Sequence, residues 1–128
     1  MSASTPFAGI TAAMADYFDG LHFSDTVRLD RVFHPEAQYV CASEGTLTRL
    51  SMGEYFPVVE ARPSPASRSE PRADRIVSIE FAGPVTAFVR AECAIGPKRF
   101  TDFLTFVRLD GQWRIIAKVF HFDLAQEP

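Results

Sequence analysis

Two long β-type runs joined by a tight turn form the last quarter of the chain and constrain the fold most. The runs cover residues 98–109 and 112–122, and the Asp110-Gly111 dipeptide between them is a strong hairpin signal. Both runs are apolar on both faces, so neither face suits exposure to water. We therefore expect helices and a pocket against one face of this hairpin, and a second subunit against the other.

The first two helices are predicted from caps and apolar spacing. Thr5 is expected to cap the first helix, with Pro6 as its first residue. Apolar residues then recur every three or four positions: Phe7, Ile10, Met14, Phe18 and Leu21. A shorter second helix is expected to open at Ser24 and Asp25, with Val27, Val32 and Phe33 facing inward. It should end at His34-Pro35, because the residue before a proline avoids the helical region.

The rest of the chain is predicted to be one more helix and a series of strands. Ser51 and Glu54 have the spacing of a capping box, so a third helix should begin there. Short strands are expected at 38–42 and 46–50, and longer ones at 76–82, 85–95, 98–109 and 112–122. Helices first and a β-meander last predict a single α+β domain spanning residues 1–128. Its strongly curved antiparallel sheet should hold three helices in its concave face.

Composition excludes several classes of function. The chain of 128 residues has a net charge of −3 and scattered basic residues, which argues against nucleic-acid binding. The two cysteines, Cys41 and Cys93, have no metal-binding spacing, so we expect reduced thiols, no metal site and no cofactor. No apolar run approaches the roughly 20 residues needed to span a membrane. A cytoplasmic protein is expected.

Three segments resemble the nuclear transport factor 2-like superfamily, whose members fold as a cone-shaped α+β barrel: residues 17–21, 29–37 and 110–120. Within it, residues 33–37, 101–104 and 113–121 are most similar to the group called putative lumazine-binding and to polyketide-cyclase-like proteins. This resemblance implies the fold for nearly the whole chain. It does not specify a function, because the fold carries unrelated enzymes and non-enzymes.

The ketosteroid isomerases of this superfamily allow a comparison residue by residue. The resemblance implies that Tyr17 stands where those enzymes keep the tyrosine that donates a hydrogen bond to the enolate. Cys41 stands at the position of their general-base carboxylate, and Thr105 at that of their oxyanion-hole acid. Steroid isomerisation of the usual kind is therefore not expected, because proton abstraction beside a carbonyl needs a base of suitable pKa.

Four residues are candidates for catalysis: Tyr17, His34, Asp102 and His121. Each also has an ordinary structural interpretation. Tyr17 would be a core tyrosine with a tethered hydroxyl, His34 a helix-end residue and His121 a residue at the end of a strand. Together, Tyr17, Asp102 and His121 would form a set of the kind found in dehydratases.

Asp102 and Lys118 depend on the register of the last hairpin. If the Asp110-Gly111 turn includes a one-residue bulge, paired residue numbers sum to 222, so Asp102 opposes Phe120 and shares a face with Lys118. With a plain two-residue turn the sum is 221, and the two charges lie on opposite faces. In the bulged register they form a partly buried ion pair that serves either as a ligand anchor or as a specificity device at a dimer interface.

The leading functional hypothesis is a homodimeric small-molecule-binding protein with an apolar pocket for a planar or polycyclic ligand. The dimer is expected through the convex face of the sheet. The alternative is an enzyme of the polyketide-cyclase, isomerase or dehydratase type that uses acid–base chemistry in the same pocket. A third hypothesis is an accessory protein that only associates. The expected ligand-binding residues are Tyr17, Phe18, Phe33, Tyr39, Phe56, Lys118 and Phe120.

Overall fold

The computed structural model describes residues 5–125 as an α+β fold, as predicted. Helices α1 (Pro6–Phe23) and α2 (Thr26–Val32) come first, followed by strands β1 (Phe33–Cys41) and β2 (Thr48–Ser51) and by helix α3 (Met52–Ala61). A short 3₁₀ turn (Ala66–Arg68) leads into strands β3 (Arg75–Phe81), β4 (Thr86–Ile95), β5 (Lys98–Leu109) and β6 (Gln112–Leu124). The four predicted long strands agree with β3 to β6 within two residues at each end.

The strands form one curved, open sheet in the order β2-β1-β6-β5-β4-β3. Neighbouring strands are antiparallel except β1 and β6, which run parallel. The three helices pack on the concave face, and the apolar residues between helices and sheet form one continuous core. Helix α1 contacts β6, and helix α3 contacts β1 and β2.

Helix α1 begins as predicted, because the Thr5 hydroxyl oxygen accepts a hydrogen bond of 3.1 Å from the Ala8 amide. Its buried face runs from Ile10 through Leu21. The predicted inward position of Phe7 is wrong: its side chain is 59% exposed. Phe7 lies in the first turn, before the buried part of the helix begins.

Helix α2 is shorter than predicted. Phe33 is the first residue of β1, and the two buried residues of α2 are Leu29 and Val32. Val27 is 72% exposed, so its predicted inward position is wrong. The His34-Pro35 pair lies inside β1, because a residue before proline favours an extended backbone and the strand therefore starts early.

Close packing of α1 against α2 requires a glycine at position 20. A Cβ atom there would lie 2.5 Å from Cδ2 of Leu29, closer than side-chain atoms can approach. The Asp25 amide also donates a hydrogen bond of 2.9 Å to the carbonyl oxygen of Gly20. The two helices therefore meet at Gly20, which orients α1 across the sheet.

Helix α3 begins at the predicted capping box. The Glu54 amide donates to Ser51 Oγ at 3.2 Å, and the Ser51 amide donates to Glu54 Oε1 at 3.0 Å. Pro57 lies inside the helix, which continues to Ala61. The buried residues of α3 are Met52, Tyr55 and Val59, so Tyr55 faces the same interior as Tyr17 of α1.

Candidate functional site

A bulge in β6 brings two opposite charges onto the concave face. Near the turn Leu109 pairs with Gln112, but beyond Thr105 the register shifts by one residue and leaves Ile116 as the extra residue of β6. Asp102 then pairs with Phe120, as the bulged alternative predicted. Because a one-residue shift reverses which side chains face inward, Lys118 points into the core with Asp102.

Tyr17 and Asp102 form the most buried polar contact of the interior. The Tyr17 hydroxyl donates a hydrogen bond of 2.5 Å to Oδ2 of Asp102, and both side chains are fully buried. Burial and the nearby negative charge of Asp102 raise the pKa of Tyr17 well above its ordinary value. Tyr17 is therefore a neutral phenol at neutral pH and acts as a hydrogen-bond donor.

One of the two carboxylate oxygens of Asp102 has no hydrogen-bond partner in the described part of the chain. Its Oδ1 atom is buried and has no hydrogen-bond partner among residues 5–125, whereas Oδ2 is held by Tyr17. A buried carboxylate oxygen without a donor is unusual, because leaving such a group unpaired costs free energy. Oδ1 is therefore the oxygen of Asp102 that no donor of the described residues occupies.

Lys118 lies in a cage of aromatic rings. Its Nζ atom is 5.1 to 5.6 Å from the ring centres of Tyr17, Phe120, Tyr55 and Tyr39. It also donates a long hydrogen bond of 3.4 Å to the Tyr55 hydroxyl, and the residue is only 4% exposed. Electron-rich ring faces attract a cation, so the cage favours the charged amine.

The charge state of Lys118 follows from opposing effects. Burial lowers the pKa of Lys118, but the negative groups around it, Tyr55 when ionised and Asp102, outweigh burial and raise the pKa above its ordinary value. Lys118 is therefore an ammonium ion at neutral pH. It is suited to donating hydrogen bonds to an oxygen atom, and not to attacking a carbonyl as a free amine.

A narrow cleft leads from the surface to Lys118. It is lined by Leu21, Tyr39, Tyr55, Arg62, Cys93, Ile95, Phe100 and Lys118. Side chains nearly fill it and leave room for about one water molecule. A ligand larger than water must therefore displace the side chains that line the cleft.

A neighbouring shallow depression adjoins this cleft. The two share Leu21, Cys93 and Ile95, and the second is bordered by His22, Asp74 and the segment after α3. Burial raises the pKa of the Cys93 thiol to about 12, so Cys93 is a neutral thiol at the junction of the two spaces. Both cysteines are unpaired, as predicted.

The structure brings some of the sequence candidates together and leaves others apart. Tyr17 contacts both Asp102, through a hydrogen bond, and Lys118, through its ring. Asp102 and Lys118 lie on the same face, but they are not among the ion pairs of the described residues, so the predicted ion pair between them is not formed. His34 lies in β1 and accepts a hydrogen bond of 3.0 Å at Nδ1 from the Glu36 amide, away from that group. His121 is 59% exposed in its side chain and faces the convex side. The three-residue set of Tyr17, Asp102 and His121 is therefore not assembled.

His121 instead joins a chain of surface hydrogen bonds. Its Nδ1 lies 2.7 Å from Ser43 Oγ, and its Nε2 lies 2.9 Å from Oδ1 of Asp123. The Phe122 amide donates to the same Ser43 oxygen at 3.1 Å, which ties the end of β6 to the loop after β1. These contacts hold the end of β6 against the loop after β1.

The predicted ligand-binding residues divide into two groups. Tyr39 and Lys118 line the cleft, and Phe120 packs beneath them against the Tyr39 ring, with ring centres 4.7 Å apart. Phe18, Phe33 and Phe56 do not line the cleft: they pack against the rings of Tyr17 and Tyr55 from behind. They therefore support the rings of Tyr17 and Tyr55 and are not in position to contact a ligand in the cleft.

Six residues of the cleft wall were not among the predicted ligand-binding residues: Leu21, Tyr55, Arg62, Cys93, Ile95 and Phe100. For Tyr55 a signal existed, because Met52, Tyr55 and Val59 recur at helical spacing after the capping box. Phe100 alternates with Asp102 on one face of its strand, which would have placed both inward. Arg62 follows α3 at its C-cap, and no pattern in the sequence marks it.

Residues 5–125 contain no group of three or more His, Cys, Asp or Glu side chains placed to hold a metal ion. None of the helices described in that range is long and apolar enough to cross a membrane. On the isomerase positions, Cys41 is buried beside Ser43, whereas Thr105 alternates with the buried Leu104 and faces the convex side. The carboxylate of this interior is Asp102.

Comparison with known proteins agrees with this description. Residues 5–121 match the family described as "Putative lumazine-binding". A protein called aldolase FrzH, from Cladobotryum sp, is 26% identical over 120 residues, which cover 92% of this chain and 92% of that protein.

Two solved structures show the fold. A nuclear transport factor 2-like protein of unknown function from Silicibacter pomeroyi has a TM-score of 0.80 and 28% identity, covering 96% of this chain and 100% of that one. A second, from Shewanella baltica, has a TM-score of 0.84 and 22% identity, covering 95% of this chain and 99% of that one. The chain therefore belongs to the putative lumazine-binding family of nuclear transport factor 2-like proteins.

Proposed function

We propose that the protein is an enzyme that acts on a small carbonyl compound by acid–base chemistry in the cleft that ends at Lys118. One observation carries the proposal: Asp102 and Lys118 lie buried on the same face of the sheet, beside the Tyr17 hydroxyl and among aromatic rings. Burying both charges is costly, and a pair of ionisable groups in an apolar interior is typical of active sites.

The three groups have complementary roles. The Lys118 ammonium donates a hydrogen bond to the carbonyl oxygen, and so stabilises the negative charge that forms there when the neighbouring C–H bond breaks. Asp102 lies behind the lining of the cleft, so it takes that proton on Oδ1 only after the substrate has displaced lining side chains, and it returns the proton to carbon at the end of the step. Tyr17, through Oδ2, holds the carboxylate in one orientation. A positioned base of this kind typically accelerates proton transfer by about 10² to 10⁴-fold.

The name of the Cladobotryum relative supports this choice. That protein is called an aldolase. An aldol reaction joins an enolate to a second carbonyl, so it begins with the same proton abstraction. We propose enolate formation as the step that this chain performs, and leave the second reactant unassigned.

A second candidate function is the binding of a planar ligand without turnover. Its support is the aromatic wall of the cleft, where the Tyr39 and Tyr55 rings stack with their centres 4.5 Å apart and Phe100 lies opposite. The description of the family, putative lumazine-binding, names one flat compound to try. Stacked rings of this kind would have to separate to admit it.

Proton exchange in D₂O tests the first candidate directly. Small aldehydes and ketones are incubated with the protein, and loss of the α-proton signal is followed by NMR. We expect exchange above the buffer rate, reduced at least about 100-fold in Asp102→Asn and Lys118→Met. Asp30→Asn changes an exposed carboxylate on α2 and is the matched control, expected to exchange at the normal rate.

Titration with lumazine, followed by tyrosine and tryptophan fluorescence, tests the second candidate. Saturable binding of lumazine together with no exchange on any carbonyl compound would replace the first candidate with the second. Exchange that is unaltered in Asp102→Asn would remove Asp102 from the mechanism.

A further inference from the structure

The cleft that leads to Lys118 contains two positive side chains and no carboxylate. Of its eight lining residues only Lys118 and Arg62 carry charge, and the others are apolar, aromatic or, in Cys93, a thiol. Lys118 lies on β6 at the base, whereas Arg62 caps the end of α3. A small molecule in this cleft therefore meets a cation on each of two different elements.

Arg62 differs from its neighbours in its pairing. Four arginines of the described chain, Arg28, Arg68, Arg72 and Arg75, pair with carboxylates at 2.8 to 3.7 Å. The Nε atom of Arg62, like those of Arg28, Arg108 and Arg114, is buried and has no hydrogen-bond partner in residues 5–125, and of these four arginines only Arg62 lines the cleft. A guanidinium nitrogen that is removed from water and left without an acceptor favours an incoming anion.

The two charges act on the same groups. Burial raises the pKa of Tyr39, and the positive charges of Lys118 and Arg62 both act to lower it. They act in the same direction on the buried thiol of Cys93. Arg62 and Lys118 therefore contribute to one positive potential inside the cleft.

We propose that the substrate is an oxo acid, a small molecule that carries both a carboxylate and a ketone or aldehyde. Arg62 binds the carboxylate through its planar guanidinium, which matches the two oxygens of that group. Lys118 holds the carbonyl oxygen. This inference rests on the proposed carbonyl chemistry for the second group and adds the negative charge of the substrate.

The test compares each oxo acid with its neutral ester. Pyruvate and levulinate, and the methyl ester of each, are measured with the full-length protein in two ways: binding by ligand-observed NMR, and α-proton exchange in D₂O. We expect each acid to bind at least tenfold more tightly than its ester. Arg62→Gln should remove that preference, weakening binding of the acid by about 10- to 100-fold.

Two further variants make the result specific. Arg62→Lys keeps the charge but loses the planar fork, so we expect an intermediate loss. Arg68→Gln removes an exposed arginine of the following turn, which pairs with Glu70 at 3.4 Å, and should leave the preference for the acid unchanged. Circular dichroism checks that each variant is folded.

The outcomes separate the two proposals. Equal binding of acid and ester, or a preference that survives Arg62→Gln, overturns the oxo-acid inference even if both compounds exchange their protons. Binding of the acids that depends on Arg62 but gives no exchange supports the charge assignment and overturns the proposed enzyme. No binding of either acid overturns the oxo-acid inference, whatever the esters do.

Discussion

The hydroxyl of Tyr17 on helix α1 donates a hydrogen bond of 2.5 Å to Oδ2 of Asp102 on strand β5, joining two residues that lie 85 positions apart in the chain. This bond connects the helical layer to the sheet at a point that water does not reach. A bond to a buried carboxylate is stronger than one between neutral groups. It should therefore contribute both to folding and to the geometry of the site.

Removing either partner of this bond should destabilise the fold, and removing both should cost less than the sum. We expect Tyr17→Phe to lower the free energy of unfolding by about 1.5 to 3 kcal/mol, because Asp102 loses its donor. A double-mutant cycle with Asp102→Asn should give a coupling energy of about 1 to 3 kcal/mol. Urea denaturation measures all four proteins.

Tyr39→Phe is the matched control for that cycle. Tyr39 lies partly exposed on the same concave face, and its ring stacks on Tyr55. Keeping the ring and removing the hydroxyl should change the unfolding free energy by less than about 0.5 kcal/mol. Additive effects of the Tyr17 and Asp102 substitutions would contradict the coupling.

Stability should fall in alkaline solution. The pKa values of Tyr17 and Lys118 lie above their ordinary values of 10.0 and 10.5 in the folded protein, so the unfolded chain loses these protons first. Because the unfolded state then binds fewer protons, the free energy of unfolding decreases as pH rises above about 10, by about 1.4 kcal/mol per pH unit for each group. Below pH 10 these two groups do not change the free energy of unfolding with pH.

Urea denaturation between pH 8 and pH 11 measures this dependence. Tyr17→Phe should reduce the slope above pH 10 by about 1.4 kcal/mol per pH unit, since one titrating group is gone. Stability that stays constant up to pH 11 in the unsubstituted protein would show that these groups ionise as easily in the folded state.

Cys93 should react slowly with alkylating reagents despite its place at the junction of two surface depressions. Its thiol has a pKa of about 12, raised mainly by burial, and only the thiolate is nucleophilic. In the Cys41→Ser background we expect iodoacetamide at pH 8 to modify the native protein on the order of 100 to 1,000 times more slowly than the same protein in urea. Similar rates in the two states would refute the raised pKa.

A homodimer through the convex face remains our proposal for the state in solution. A row of directly paired residues crosses five strands of that face: Arg90, Phe103, Val119, Val40 and Arg49. Phe103 and Val119, at its centre, are 43% and 45% exposed. An exposed apolar strip bounded by charges is typical of a protein interface.

Phe103→Glu should convert the protein to a monomer, because a buried unpaired charge at the centre of an interface is strongly unfavourable. Light scattering coupled to size-exclusion chromatography gives the mass. Val27→Glu, at an equally apolar but fully separate position on α2 that is 72% exposed, is the control and should leave the mass unchanged. A monomeric unsubstituted protein would end the proposal.

Much of the fold could be predicted from local sequence, because its signals act over a few residues. The capping box at Ser51 began α3, and the Asp110-Gly111 turn joined β5 to β6 as expected. Phe7 and Val27, which were predicted to face inward, are exposed in the first turns of α1 and α2. Phe33, which was predicted in α2, is the first residue of β1, where a short helix passes directly into a strand. There the periodicities of helix and strand overlap, and the extended backbone required before Pro35 decided the boundary.

The sequence did not decide whether Asp102 and Lys118 lie on the same face of the sheet. Asp102 and Lys118 were identified as the polar residues of an apolar hairpin, yet two registers remained, and they differ by one residue. The structure selects the bulge at Ile116, within the strand and not at the turn. The position of such a bulge depends on how the sheet curves around the helices. That curvature involves residues far apart in the chain, so a short stretch of sequence does not predict it.

The chain by itself therefore determined the order of helices and strands, the hairpin and the short list of polar residues that matter. Only the tertiary structure decided that Lys118 faces inward, that Tyr17 reaches Asp102, and that Arg62 stands at the same cleft. The reason is physical: caps, turns and periodicity depend on neighbouring residues, whereas a site depends on distances between elements that packing alone brings together.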